Sequence, residues 1–172
     1  MNRFKNLIST FQEQYLFPEN NPNISHDLHF RCLFHHGIKL SQLEKMNFPK
    51  EMAEFYQLSN GAYLFQDARY GQWGLHLLDL HLIQRITAEF FEDRYDDALT
   101  GDRIIGEFLG DGEKLLVRLD PNIADFGTII IVCPISPRNE WRIIETNFYD
   151  FIINYFQNSG EKYWENLNSL ID

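Results

Sequence analysis

The chain has 172 residues, of which 44% are hydrophobic and 15% are aromatic, enough apolar material for one sizeable core. Its formal net charge of -10 repels phosphate backbones and anionic lipids, which argues against direct nucleic-acid or membrane binding and favours a basic partner. Two cysteines and no apolar run typical of a signal peptide or membrane span predict a cytoplasmic protein.

Hydrophobic spacing predicts two helices and one strand before residue 62. An amphipathic helix is expected at the N-terminus, with its apolar residues at helical spacing: Phe4, Leu7, Ile8, Phe11 and Tyr15. The alternation over residues 28–34 favours a strand, although one or two helical turns remain an alternative. Pro49 is placed for the first turn of a second helix, and Asn60-Gly61 for its left-handed end.

The middle of the chain predicts a hairpin followed by a capped helix. Residues 62–65 and 73–78 are typical of two strands around a polar turn, with Gly74 suited to a bulge or a close backbone approach. Asp79 is expected to cap a helix whose inner side carries Leu82, Ile83, Ile86 and Phe90.

Three or four further strands and a final helix are predicted after Gly101. Residues 103–108 and 114–119 flank a turn containing Gly110 and Gly112, and strands follow at 128–133 and 141–144. An aromatic helix over 148–156, capped by Thr146 or Asn147, precedes a last helical turn. Because the strands are consecutive, we expect one α+β domain over residues 1–172, with a mostly antiparallel sheet flanked by N- and C-terminal helices.

Five carboxylates are expected on adjoining turns of the helix after Asp79: Glu89, Glu92, Asp93, Asp96 and Asp97. The simpler interpretation is a solvated helix face. The functional alternative is a negative patch that steers a basic partner, extended by three residues in predicted turns, namely Asp67, Asp111 and Glu113.

Residues that could support chemistry are few. Zn²⁺ ligands could come from the cluster His26, His29, Cys32, His35 and His36, but ordinary packed or surface histidines are the simpler interpretation. Cys133 ends an apolar strand and is expected to behave as a small buried hydrophobe rather than a nucleophile. With no recognisable catalytic or phosphate-binding motif, we expect no cofactor, no bound metal and no enzymatic activity.

A family resemblance rests on the order of several structural marks. They are the Pro49-initiated helix with Asn60-Gly61, then Trp73-Gly74, then Gly110 and Gly112, and finally the aromatic helix. Over roughly residues 40–157 this order resembles the SUKH superfamily, the group of the yeast SMI/KNR cell-wall assembly regulators and many bacterial toxin-immunity proteins. Residues 1–37 are expected to add an N-terminal helix and extension.

The resemblance implies a bacterial immunity protein that binds and neutralises a cognate toxin, in some cases a nuclease, by occlusion. The acidic residues Glu92, Asp93, Asp96, Asp97, Asp67, Asp111 and Glu113 are candidate contacts, and Tyr70 and Trp73 are candidate anchors. A regulatory or scaffolding module of the SMI/KNR type and a small metal-dependent enzyme are the alternatives. Whether the chain is a monomer or a homodimer is left open.

Overall fold

A seven-stranded sheet is the centre of the fold. The structure, a computed structural model, describes residues 3–15 and 30–166. Its strands are β1 (Phe30–Phe34), β2 (Ala62–Asp67), β3 (Leu75–Leu77), β4 (Asp102–Phe108), β5 (Lys114–Arg118), β6 (Ile129–Val132) and β7 (Arg142–Glu145). They lie side by side in chain order, and every neighbouring pair is antiparallel. The predicted α+β class with an antiparallel sheet is therefore confirmed.

Helices precede, interrupt and follow the strands in the described part of the chain. They are α1 (Phe4–Tyr15), α2 (Leu40–Leu43), α3 (Lys50–Leu58), α4 (Leu80–Glu92), α5 (Phe148–Gln157) and α6 (Tyr163–Asn166). Short 3₁₀ helices cover Glu44–Met46, Tyr95–Asp97 and Arg138–Glu140. The predicted beginning of the first strand at 28 and 29, and the end of the last helical turn, lie outside the described residues.

Aromatic rings from both ends of the chain meet in the core. Phe4 of α1 packs edge-on against Phe55 of α3, with ring centroids 5.4 Å apart, and Phe55 packs in the same way against Phe148 of α5. On the sheet side, Phe108 contacts Trp164 with a centroid distance of 5.4 Å. Because these rings are fully or almost fully buried, the terminal helices and the sheet share one core.

Helix α4 takes the place of a strand beside β4. Strand β3 ends at Leu77, the Leu78 N–H still donates to the Ile105 carbonyl (2.9 Å), and α4 then begins. One helical hydroxyl, Thr87 Oγ1, accepts the N–H of Ile104 on β4 at 2.9 Å. The N–H of Ile104 is thus satisfied by a helix side chain, and this bond holds α4 against β4.

Asn60 and Gly61 differ from the predicted helix end. Helix α3 stops at the extended cap residue Ser59 (φ -147°), and only Gly61 is left-handed, with φ 82°. Asn60 instead accepts the N–H of Leu80 at 3.1 Å, beside the predicted Asp79 cap, which accepts the N–H of Leu82 at 2.8 Å. Asn60 and Gly61 therefore follow the end of α3, and Asn60 also caps the beginning of α4, because the chain brings the two helix ends together.

Trp73 and Gly74 lie just before β3 rather than inside a strand. A Cβ on Gly74 would lie 2.5 Å from the Phe65 carbonyl oxygen, which confirms the close approach but not a bulge at this residue. The bulge lies in β2, where Phe65 has φ 51° and donates its N–H to Cys32 Sγ at 3.3 Å. The sequence gives no signal for this bulge, because phenylalanine rarely adopts a left-handed backbone conformation unless the packing around it imposes one.

Alanine substitution at two left-handed glycines separates backbone strain from steric conflict. Gly112 has φ 78° and open space where a Cβ would lie, whereas a Cβ on Gly61 would lie 2.7 Å from the Leu77 carbonyl oxygen. We expect Gly112→Ala to lower the free energy of unfolding by about 1–2 kcal/mol. Gly61→Ala should lose a further ~1–3 kcal/mol because backbone must shift. Urea denaturation measures both, and equal losses would contradict the packing described.

Candidate partner-binding surface

The carboxylates predicted on one helix face are divided between three backbone segments. Glu89 and Glu92 lie on α4, Asp93 is its C-cap, and Asp96 and Asp97 belong to the following 3₁₀ helix. The prediction of a single helical face was wrong because α4 ends at Glu92. The chain then turns toward β4, so Asp96 and Asp97 lie on a separate 3₁₀ helix.

Two of the five carboxylates are occupied by arginines. Glu89 pairs with Arg85 across one helical turn at 2.9 Å, and Asp97 pairs with Arg94 at 2.7 Å. Asp97 also accepts the main-chain N–H of Arg138 at 3.0 Å. Asp97 therefore has a structural role in the connection between the helix end and a distant loop.

The remaining three, Glu92, Asp93 and Asp96, are exposed. Among the residues that the structure describes, none forms an ion pair with them. Two large apolar side chains stand out beside them: Tyr95, 74% exposed, and Ile135, 93% exposed. We call Glu92, Asp93, Tyr95, Asp96 and Ile135 the acidic corner.

Arg94 holds the two halves of the acidic corner together. Its Nη1 donates to the Pro134 carbonyl and its Nη2 to the Ser136 carbonyl at 2.5 Å, so the two residues that flank Ile135 are bound to one guanidinium. The guanidinium carbon also lies 5.8 Å from the centre of the Trp141 ring. The corner is therefore presented on a fixed backbone, although both of its segments are loops.

Beneath the acidic corner, the carboxylate of Asp102 is buried between two arginines. Asp102 is 2% exposed and accepts from Arg118 Nη1 and, at 2.5 Å, from Arg138 Nη1. It also accepts the N–H of Leu99 at 3.0 Å. Burial alone would lower the pKa of Arg118, but hydrogen bonds to Asp102 and Asp125 outweigh it and raise that pKa. This cluster ties β4 and β5 to the loops that carry the corner.

Asp67 is not placed for the contact predicted for it. It is 4% exposed, and its carboxylate accepts the N–H of Arg69 at 2.8 Å within the turn after β2. An aspartate is a common turn former for this reason. A partner could reach this carboxylate only after the turn rearranged, so we withdraw Asp67 from the candidate contacts.

Asp111 and Glu113 share one lysine. Lys162 Nζ donates to Asp111 Oδ2 and, at 2.7 Å, to Glu113 Oε2. Burial lowers the pKa of Lys162, but these hydrogen bonds have the larger combined effect and raise it. The ion pairs of Lys162 therefore fix the β4–β5 turn against the segment before α6. They also reduce the negative charge that Asp111 and Glu113 present to a partner.

The aromatic anchors predicted at Tyr70 and Trp73 lie near that same turn. The Gly74 carbonyl accepts the N–H of Leu109 at 2.9 Å, which joins the two hairpin ends. Trp73 remains 37% exposed beside Phe30, and Tyr70 is more exposed. Asp111 follows β4, whereas Asp96 precedes it. The turn beside Trp73 and the acidic corner therefore lie at opposite ends of β4, a strand roughly 20 Å long.

The histidine–cysteine cluster is only partly within the described residues. His26 and His29 lie outside them, Cys32 is buried in β1, and His35 and His36 are exposed. In residues 3–15 and 30–166, no group of three or more His, Cys, Asp or Glu side chains is arranged to hold a metal ion.

Cys133 directly follows β6 and is half-buried, less than expected for a small buried hydrophobe, while Cys32 is the fully buried thiol. Burial raises the pKa of Cys32 to about 12. A thiol in that environment is protonated at neutral pH and is a poor nucleophile.

The comparisons with known proteins identify the fold just described. The sequence profile of the SMI1 / KNR4 family (SUKH-1) matches residues 39–154. The chain belongs to this family. The match covers α3, α4 and all strands from β2 onward, close to the 40–157 expected for a SUKH domain. A search of curated proteins returned no match.

For this SUKH-1 protein, sequence reasoning missed Tyr95, Ile135 and the arginines that position them. Isolated apolar residues between polar ones carry no periodic signal, and Arg94, Arg118 and Arg138 are far apart in sequence.

No helix among the described residues is long and apolar enough to cross a membrane.

Removing the buried carboxylate should unfold the protein more readily than removing its exposed counterpart. Asp102→Ala leaves Arg118 and Arg138 without their shared partner, and we expect about 3–5 kcal/mol less free energy of unfolding. Asp125→Ala removes a half-exposed partner of the same Arg118, 3.0 Å away, and should cost below ~1 kcal/mol. Chemical denaturation of both variants decides, and similar losses would show that Asp102 is not the central partner.

The two thiols should differ in reactivity. At pH 8 we expect an aromatic disulfide reagent to modify one thiol per folded chain, at Cys133, because Cys32 is buried and burial raises its pKa to about 12. Both should react in denaturant. Cys133→Ser should abolish the native reaction, and rapid modification of that variant while folded would contradict the burial of Cys32.

Proposed function

We propose that this SUKH-1 protein is an immunity protein that binds a cognate toxin and occludes its working surface without catalysing a reaction. Family membership supports a role in protein interaction. The observation that carries the proposal is the acidic corner, where three exposed carboxylates with no ion pair among the described residues lie close in sequence to exposed Tyr95 on a fixed backbone.

Charge supports a basic partner. With 25 acidic and 15 basic residues, the chain attracts cationic surfaces at a distance. Most basic residues near the corner are neutralised internally, since Arg94 pairs with Asp97 and Arg138 pairs with Asp102. The free carboxylates therefore dominate the local potential, and a toxin whose substrate is anionic, such as a nuclease, would offer the complementary surface.

Apolar contacts would supply the affinity that exposed charges do not. Surface ion pairs contribute little individually, whereas a tyrosine buried at an interface centre is a common hot spot. Tyr95 and Ile135 are available for this purpose, and the hydrogen bonds of Arg94 reduce the entropy lost when they become ordered. The corner thus combines steering by charge with a rigid apolar contact.

The test begins with co-expression of the protein and a candidate toxin encoded by a gene adjacent to its own, scoring rescue of growth and co-purification. With that toxin, Asp93→Lys/Asp96→Lys should slow association by at least ~10-fold at low salt and flatten its salt dependence. Biolayer interferometry at several salt concentrations measures both.

The matched control is Glu13→Lys/Glu161→Lys, which changes the net charge equally at two exposed sites outside the corner. It should slow association by less than ~3-fold. Equal slowing in both variants would show that only net charge matters. A folded wild-type protein that neither rescues growth nor binds the toxin would overturn the immunity role and favour a regulatory module.

A further inference from the structure

A small cavity opposite in charge to the acidic corner lies between the 3₁₀ helix after α2, helix α4 and the first residues of β4. Its volume is about 130 Å³. The residues that line it are Lys45, Met46, Asn47, Gln84, Arg103 and Leu119. Leu119 is buried, whereas Lys45 and Gln84 are exposed, so the cavity has an apolar residue on one side and opens to solvent on another.

The lining contains two cations and no carboxylate. Within the described residues, no ion pair engages Lys45 or Arg103. Arg94, Arg118 and Arg138, by contrast, are each paired with a carboxylate. Two uncompensated cations beside one cavity give it a local positive potential.

Arg103 is held in place without being neutralised. Its Nη1 donates to the main-chain carbonyl of Asp102 at 2.6 Å, which restrains the guanidinium but leaves further N–H groups free. The neighbouring carboxylate of Asp102 is already bound by Arg118 and Arg138. The acid closest in sequence is therefore occupied, and the charge of Arg103 remains available.

Amide groups add neutral donors. Within residues 3–15 and 30–166, the one partner of Gln84 Nε2 is the Met46 sulfur at 3.8 Å, a weak acceptor that leaves the amide able to donate elsewhere. Asn47, left-handed with φ 53°, brings a second amide to the same rim. Cations and amides around a small cavity match the acceptor oxygens of an anion.

We propose that this cavity binds an oxyanion, a group with at least two acceptor oxygens such as a phosphate or a carboxylate. Its volume suits a group of a few heavy atoms rather than a nucleotide or a cofactor. The oxygens would accept charge-assisted hydrogen bonds from Lys45 and Arg103 and neutral ones from Gln84. The ligand is either a free phosphate or a carboxylate carried by another molecule, and both present this chemistry.

The test titrates the full chain with inorganic phosphate and, separately, with acetate, each against sodium chloride at matched ionic strength. Binding of either anion should raise the melting temperature by about 3–6 °C at about ten times the dissociation constant. In ¹H–¹⁵N spectra the same titration should shift the Gln84 side-chain amide and the amides of residues 45–47 in a saturable way. Phosphate alone, acetate alone or both producing these changes identifies the ligand class.

Variants show whether the cavity is responsible, because phosphate also stabilises proteins non-specifically. Lys45→Gln, a change at an exposed residue, should weaken binding at least ~5-fold, and Lys45→Gln/Arg103→Gln should abolish the saturable response. Lys5→Gln removes an equal charge from an exposed site on α1 and should bind like the wild type. No saturable response to either anion, or an unchanged response in the double variant, overturns the proposal.

Discussion

The architecture around the acidic corner depends on one buried carboxylate. Asp102 opens β4 between Arg118 of the next strand and Arg138 of a loop 36 residues away. Burying a charge is unfavourable unless it is paired and hydrogen-bonded, so Asp102, Arg118 and Arg138 require one another. Arg138 then reaches Asp97, and Asp97 binds Arg94, which fixes the loop around Ile135. An exposed surface made of loops thereby becomes rigid.

Some charged side chains of this protein form ion pairs within the fold, and others do not. Carboxylates that join separate segments, such as Asp97, Asp102, Asp111 and Glu113, are paired, while no described cation pairs with Glu92, Asp93 or Asp96 at the acidic corner. Among the described cations, Arg118 and Lys162 are paired, whereas no ion pair engages Lys45 or Arg103. The net charge of the chain therefore describes neither surface, because the charge of each surface depends on which of its groups are paired.

Local signals in the sequence were reliable where a single element decided the outcome. Asp79 and Asn147 cap their helices as predicted, accepting N–H groups at 2.8 and 2.9 Å, because a cap needs only residues within one turn. Asn60 was misjudged because its partner, Leu80, lies on another helix. Asp67 was misjudged for a related reason, since its burial depends on how the hairpin packs rather than on its own polarity.

By itself, the sequence determined the α+β class, the order of strands and helices, the SUKH resemblance and the negative charge, because periodicity, turn residues and composition act locally or as sums. Only the tertiary structure decided which carboxylates are free. A carboxylate's availability depends on which cation the fold brings within hydrogen-bond distance, and Asp102 and Arg138 are joined only when the sheet and its loops assemble. The carboxylates of the acidic corner and the cations of the cavity are available because the fold pairs neighbouring charged groups, such as Asp102 and Arg138, with each other.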